Sequence, residues 1–212
     1  MSLLRSTIAP ETEPRIESST HYLRAPVIGD FRNWAELRSA SRDFLRRWEP
    51  IWPKDDLTKS GFRRRLRKYA KDRREGRSYP YLLFCRETDA LLGGITLSNI
   101  RRGVCQSATM GYWMGAPYAG KGHMSRAVGL ILPHCFKTLD LHRVEASCLP
   151  DNEPSIRLLE NAGFRREGYA RKYLLINGRW QDHVLYACLA EDHVKAIAQT
   201  APSNGGFVKE IL

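Results

Sequence analysis

Met110-Gly111-Tyr112-Trp113-Met114 runs directly into Gly115-Ala116-Pro117-Tyr118-Ala119-Gly120-Lys121-Gly122, and His123-Met124-Ser125 then leads into an apolar stretch ending at Leu139. The residues from Cys105 to Met114 predict a strand, the glycines and Pro117 a tight connection, and the apolar recurrence from Ser125 to Leu139 a helix. Glycine lets the backbone approach a bound group closely, and a helix start presents unpaired N–H groups and the positive end of its dipole to an anion. The stretch therefore suits an anion seat, and it equally suits a sharp turn into the helix. Neither a complete GxxxxGK[ST] phosphate loop nor a GxGxxG dinucleotide motif is present.

Working outward, His21 to Val27 reads as a strand. A helix opens near Asp30, runs through Trp34, Leu37 and Phe44, and stops at Pro50 and Pro53. The segment from Phe62 to Arg77 follows as an amphipathic helix, and Tyr79–Arg86 and Leu91–Ile100 form a hairpin across the Thr88-Asp89 turn. After the glycine loop and its helix come a strand at His142–Cys148 and a short helix from about Glu153 to Ala162, with Asn152 as N-cap and Gly163 as its stop. Two last strands, Tyr169–Ile176 and Trp180–Leu189, flank Asn177-Gly178, a dipeptide suited to a two-residue type I′ turn. The expected class is mixed α/β (α+β). The expected organisation is a flexible leader over 1–19, one domain over 20–192, and a C-terminal extension over 193–212 that is loose at its end.

With 212 residues the chain can bury one sizeable core, and no apolar run is long enough for a signal peptide or a membrane span, so a cytoplasmic protein with no membrane partner is expected. The five cysteines have no CxxC spacing, which indicates neither a disulfide framework nor a metal site, and most should be buried. The net charge of +11 favours an acidic partner such as RNA or the ribosome surface. Much of it lies between residues 63 and 77, where nine Arg and Lys face only Asp72 and Glu75. A solvated face on a packed helix explains that run as well as an RNA contact does, and no RNA-recognition motif accompanies it.

A second motif stands some thirty residues beyond the first: Asn152-Glu153-Pro154-Ser155, then Glu160 and Gly163-Phe164. Together with Gly120 and Gly122 this set resembles the GNAT superfamily of N-acetyltransferases, whose pyrophosphate loop reads Q/R-x-x-G-x-G/A. More narrowly, the chain is similar over about residues 20 to 190 to the RimJ/RimL group of bacterial ribosomal-protein-alanine N-acetyltransferases. The stretches that carry this are Phe44-Leu45, Trp48-Glu49-Pro50, Ser98-Asn99, Arg102-Gly103, Gly111-Tyr112, Glu167-Gly168-Tyr169-Ala170, Tyr173-Leu174-Leu175-Ile176 and Gly178-x-Trp180-x-Asp182-His183. Pro117 departs from the loop pattern, where Gln or Arg is usual, which removes a side-chain contact and leaves the backbone donors.

The resemblance implies a mostly antiparallel twisted sheet flanked by helices, splayed between the two strands that hold acetyl-CoA. Residues Met110, Gly111, Tyr112, Trp113 and Met114 would pair with the pantetheine arm and offer N–H groups to the thioester oxygen, where charge develops. Ala119, Gly120, Lys121, Gly122, His123, Met124 and Ser125 would hold the pyrophosphate, with Asn152 and Ser155 nearby. Many members carry a tyrosine acid seven residues after the motif asparagine, a position held here by Leu159; the resemblance to the RimL-like enzymes instead makes Ser155 the candidate donor to the sulfur, directly or through water. Glu49, Glu87 and Asp182 are the candidate bases. Because Asp182 and His183 alternate on one strand, at most one of them should line the cleft. Trp113, Tyr169, Tyr173 and Trp180 suit either a groove wall or the core.

The acceptor implied is the N-terminal α-amine of a ribosomal protein. Its pKa of about 7.7 to 8.0, against about 10.4 for lysine, leaves much of it neutral without a strong base. A small amine such as an aminoglycoside, polyamine or amino acid is the alternative acceptor. An RNA-binding ribosome-assembly factor is the alternative from another class. Monomer and homodimer both remain open.

Overall fold

The computed structural model describes residues 15–193, so the ends expected to be loose lie mostly outside the described residues. The strands are β1 (Ile16–Glu17), β2 (His21–Arg24), β3 (Tyr79–Cys85), β4 (Leu91–Arg101), β5 (Ser107–Met114), β6 (Arg143–Cys148), β7 (Arg165–Ile176) and β8 (Arg179–Leu189). Between them lie α1 (Phe31–Ala40), α2 (Arg42–Arg46), α3 (Lys59–Arg74), α4 (His123–Pro133) and α5 (Glu153–Asn161). The described residues form one eight-stranded sheet in the order β1-β2-β3-β4-β5-β6-β8-β7. All pairings are antiparallel except β5 with β6. Ordered structure thus begins before residue 20: Ile16 and Glu17 pair with Leu23 and Tyr22, which takes them out of the expected leader.

Both faces of the sheet are covered, because neighbouring strand residues point opposite ways. Leu23 and Leu83 pack with Ala127, Val128 and Ile131 of α4 and Leu159 of α5 on one side. Their neighbours Tyr22, Leu82 and Phe84 pack with Trp34 of α1 and Phe62 of α3 on the other. Among the described residues no helix is long and apolar enough to cross a membrane.

Two departures from the expected elements matter for the site. The helix expected from Asp30 breaks at Ser41, whose buried hydroxyl accepts the Ala116 N–H at 2.8 Å and so ties α1 and α2 to the glycine loop. The helix after the loop starts at His123 and switches to a π-helical turn, His134–Thr138, directly after Pro133, which lacks the N–H that would continue the α pattern.

Gly93 of β4 lies against β5 where that strand borders the site. A Cβ there would stand 2.3 Å from the Trp113 carbonyl oxygen, a backbone atom that cannot swing away. Gly93→Ala is therefore expected to destabilise the fold by about 3 kcal/mol, the upper part of the overpacking range, and urea denaturation measures it directly.

Candidate functional site

β5 and β6 stay paired only from Ser107–Arg143 to Thr109–Glu145. Beyond that point β5 follows β4 as far as the Gly93–Met114 pair, while β6 follows β8 as far as Cys148–Val184. The two strands therefore diverge, and the β6-facing backbone groups of Met110–Met114 lose their ladder partner. A cleft of about 500 Å³ occupies the gap. Tyr112, Trp113, Met114, Ala119, Gly120, Gly122, His123, Met124, Ser125, Asn152 and Ser155 line it, joined by Phe44, Leu45, Trp48 and Glu49 from the α2 side. Of the other expected cofactor residues, Met110 is buried in the core, and Gly111 and Lys121 are exposed outside the lining.

The expected anion seat is a backbone feature. Gly120 and Gly122 adopt φ of 72° and 76°, the left-handed region that other residues enter at a cost. Gly122 is the N-cap of α4 and supplies no side-chain cap, so the first N–H groups of the helix have no capping side chain. These donors and the helix dipole suit a phosphate without the missing Gln or Arg at position 117.

At the other end of the cleft, α5 starts at the N-cap Asn152, whose side-chain oxygen accepts the Ser155 N–H at 3.2 Å. That capping bond fixes Ser155 in the first turn, buried, with its hydroxyl against the Tyr112 phenol. Tyr112 was expected to contribute only backbone; its side chain reaches Ser155 because β5 and α5 face each other across the splay. The signal was the position itself, since a strand residue one alternation from Met110 and Met114 shares their side. Burial pushes the Tyr112 phenol well above its ordinary value and the neighbouring Cys148 thiol up to about 11, so both stay protonated at neutral pH.

Glu49 reaches the cleft, but its carboxylate is already engaged. Arg38 grips both oxygens, at 2.8 and 2.7 Å, and the Trp52 indole N–H donates to one of them at 2.6 Å. The Arg38 guanidinium lies over Trp52 at 4.2 Å and Trp113 at 4.9 Å from the ring centroids. Glu49 and Trp113 also form part of the wall of a second cavity of about 220 Å³ beneath α1 and α3. A hydrogen bond of 3.0 Å from the Asn177 N–H to the Glu49 carbonyl docks the β7–β8 turn on this segment.

Asp182 is not brought into the cleft. Its two oxygens accept from the Tyr169 hydroxyl and the Lys172 N–H, each at 2.7 Å, and so hold the bulge of β7 where Lys172 has φ 47°. Those donors lower its pKa, led by the Lys172 N–H. The support this gives is present above the ordinary carboxylate pKa and fades as pH falls through the lowered value. Asp182→Asn at neutral pH should reduce amide-exchange protection around Lys172, relative to the intrinsic rate, as acid below the lowered value does in the parent, with kcat unchanged. Glu87 sits on the exposed β3–β4 turn outside the lining, and His183 is buried. Trp113 walls the cleft, whereas Tyr169, Tyr173 and Trp180 are about half exposed on the last hairpin, neither core nor cleft wall.

The acetyltransferase (GNAT) domain family matches residues 21–165. Among similar proteins, the Bacillus subtilis protein named "Probable N-acetyltransferase YjcK" is 37% identical over 177 residues, covering 84% of this chain and 98% of that protein. The [ribosomal protein uS5]-alanine N-acetyltransferase of Escherichia coli is 33% identical over 181 residues, covering 84% of this chain and 93% of that enzyme. Among solved structures, Mycobacterium smegmatis RimJ in complex with CoA-disulfide superposes with a TM-score of 0.78 at 30% identity, covering 84% of this chain and 88% of the other.

Proposed function

The chain belongs to the GNAT acetyltransferase family, and from that premise we propose that it transfers the acetyl group of acetyl-CoA to the N-terminal α-amine of a ribosomal protein, of the Ala or Ser type. The observation that carries this is the cleft between the diverging β5 and β6, with backbone donors along Met110–Met114, an open helix start behind Gly120 and Gly122, and Ser155 at its end. The likeness to a uS5-alanine acetyltransferase supports the acceptor.

Acetyl-CoA supplies the acetyl group as a thioester. The Gly120–Ser125 amides bind its pyrophosphate, and the free edge of Met110–Met114 orients the pantetheine arm and donates to the oxygen on which charge develops. As the C–N bond forms and the C–S bond breaks, the amine nitrogen loses its proton to water, and Ser155 donates a hydrogen bond, or relays a proton from water, to the departing sulfur, with Tyr112 holding that hydroxyl in position. The acceptor enters from the α2 side, past Trp48 and Trp113. Its α-amine is neutral often enough at pH 7 to 8 to attack without a dedicated strong base. Glu49, saturated by Arg38 and Trp52, acts as an anchor of that wall.

Thiol release from acetyl-CoA tests the acceptor. Turnover on a peptide with a free Ala terminus, and none on its N-blocked form that retains lysine, is the expected result; turnover on spermidine alone would make this a small-amine enzyme.

The basic helix bears on how a ribosome-borne acceptor is found. Arg64 and Arg65 pair with Asp55 and Asp56, and Lys68 and Arg77 with Asp72. Arg63, Arg67, Lys71 and Arg74 are exposed and have no carboxylate partner among the described residues. Changing these four to Gln should raise the KM for a ribosome-bound acceptor and flatten its salt dependence, with the KM for a short peptide unchanged.

A further inference from the structure

His21 and His123 come from elements 102 positions apart and share a hydrogen bond of 2.8 Å between His21 Nε2 and His123 Nδ1. His21 is buried on β2, and its other nitrogen, Nδ1, lies 2.8 Å from the Thr20 hydroxyl. His123 is the first residue of α4 and lines the cleft beside Gly122. Its other nitrogen, Nε2, takes no part in that bond.

Two proton arrangements satisfy the Thr20–His21–His123 contacts, and the one that suits an anion at His123 runs inward from Thr20. The Thr20 hydroxyl donates to His21 Nδ1, which puts the His21 proton on Nε2; that N–H donates to His123 Nδ1, which puts the His123 proton on Nε2. The free N–H then belongs to the ring that lines the anion seat. Reversing the chain would leave His123 Nε2 a bare lone pair beside phosphate oxygens, which repels them.

We propose that His21 is a positioning residue of the cofactor site, fixing His123 as a side-chain donor to the pyrophosphate of CoA and making CoA binding proton-linked. This rests on the proposed use of the Gly120–Ser125 seat. It also gives that seat a side-chain donor, although position 117 of its loop offers none.

The surroundings set the sign of the proton linkage. Arg126 and Lys121 lie on the α4 side, Tyr118 meets His123 edge-on at 6.3 Å, and Cys85 stands opposite His21 in β3. On β1, Glu17 pairs with Arg86 at 3.5 Å. Desolvation first, then the neighbouring cations, holds His123 below the ordinary imidazole value; desolvation, His123 and Arg126 do the same for His21. The free pair is therefore neutral at pH 7. A pyrophosphate cancels the cationic field and favours the imidazolium, so binding takes up a proton and tightens as pH falls toward the lowered values.

Calorimetry of CoA and of pantetheine, which lacks the pyrophosphate, tests this on the full-length protein near pH 6 and near pH 8, in buffers of different ionisation enthalpy. The parent should take up protons on binding CoA at the lower pH and none on binding pantetheine. His21→Phe keeps the ring volume and removes the donor; it should weaken CoA about three- to tenfold, the scale of one hydrogen bond to a charged group, and leave pantetheine unchanged. His123→Phe should match it, with no further loss in the double variant. An equal loss for both ligands, an unchanged ratio between them, or a parent without proton uptake would each overturn the proposal while leaving the cofactor reading intact. A parent that binds neither ligand would overturn both.

Discussion

Ser155→Ala is expected to lower kcat about a hundredfold, the lower end of what a positioned acid contributes, with the KM for acetyl-CoA nearly unchanged. A thiolate is a fair leaving group near neutral pH, so the hydroxyl eases its departure more than it enables it. That weakness gives the test its discrimination. An acetyl thioester of a more acidic thiol needs less help, and the variant should recover most of the parent rate with such a donor. Tyr112→Phe removes the partner that holds the hydroxyl and should cost about tenfold in kcat, with no additional cost once Ser155 is Ala. Burial keeps the phenol protonated well past its ordinary range, so Tyr112 should add no falling limb to the pH–rate profile below pH 10. Full independence of the two substitutions would remove Tyr112 from the mechanism; an unimpaired Ser155→Ala would remove the acid.

The sheet, the glycine loop and the α5 cap were legible because each is specified locally. Alternation, the Asn177-Gly178 turn and Asn152 as N-cap are matters of a few consecutive residues, and β8, α5 and the loop formed within a residue or two of expectation. The divergence of β5 from β6 was legible only through family likeness, since nothing in Ser107–Met114 alone says where a neighbouring strand leaves it. What sequence left open were contacts between distant segments. Tyr112 meets Ser155 across 43 positions, His21 meets His123 across 102, and Ser41 meets Ala116 across 75. The carboxylates failed to sort for the same reason. Asp182 read as well as Glu49 did, and only the bulge at Lys172 and the grip of Arg38 separate a hairpin brace from a cleft wall.

That grip predicts a large stability effect. Arg38 is buried, stacked among Trp34, Trp52 and Trp113, and paired at both nitrogens with a Glu49 side chain only 20% exposed. Arg38→Ala strands that carboxylate and opens the aromatic stack, which should cost about 3–5 kcal/mol in urea denaturation, the scale for breaking a buried ion pair from one side. Glu49→Gln keeps the shape and a hydrogen bond from each neighbour, so its loss should be smaller. Catalysis separates the anchor from a base. If Glu49 only shapes the wall, the rising limb of kcat/KM with pH follows the acceptor amine, at about 7.7 to 8.0, in both the parent and Glu49→Gln. A limb that vanished in Glu49→Gln would make this carboxylate the base despite its partners, and would require Arg38 and Trp52 to release an oxygen when the acceptor binds.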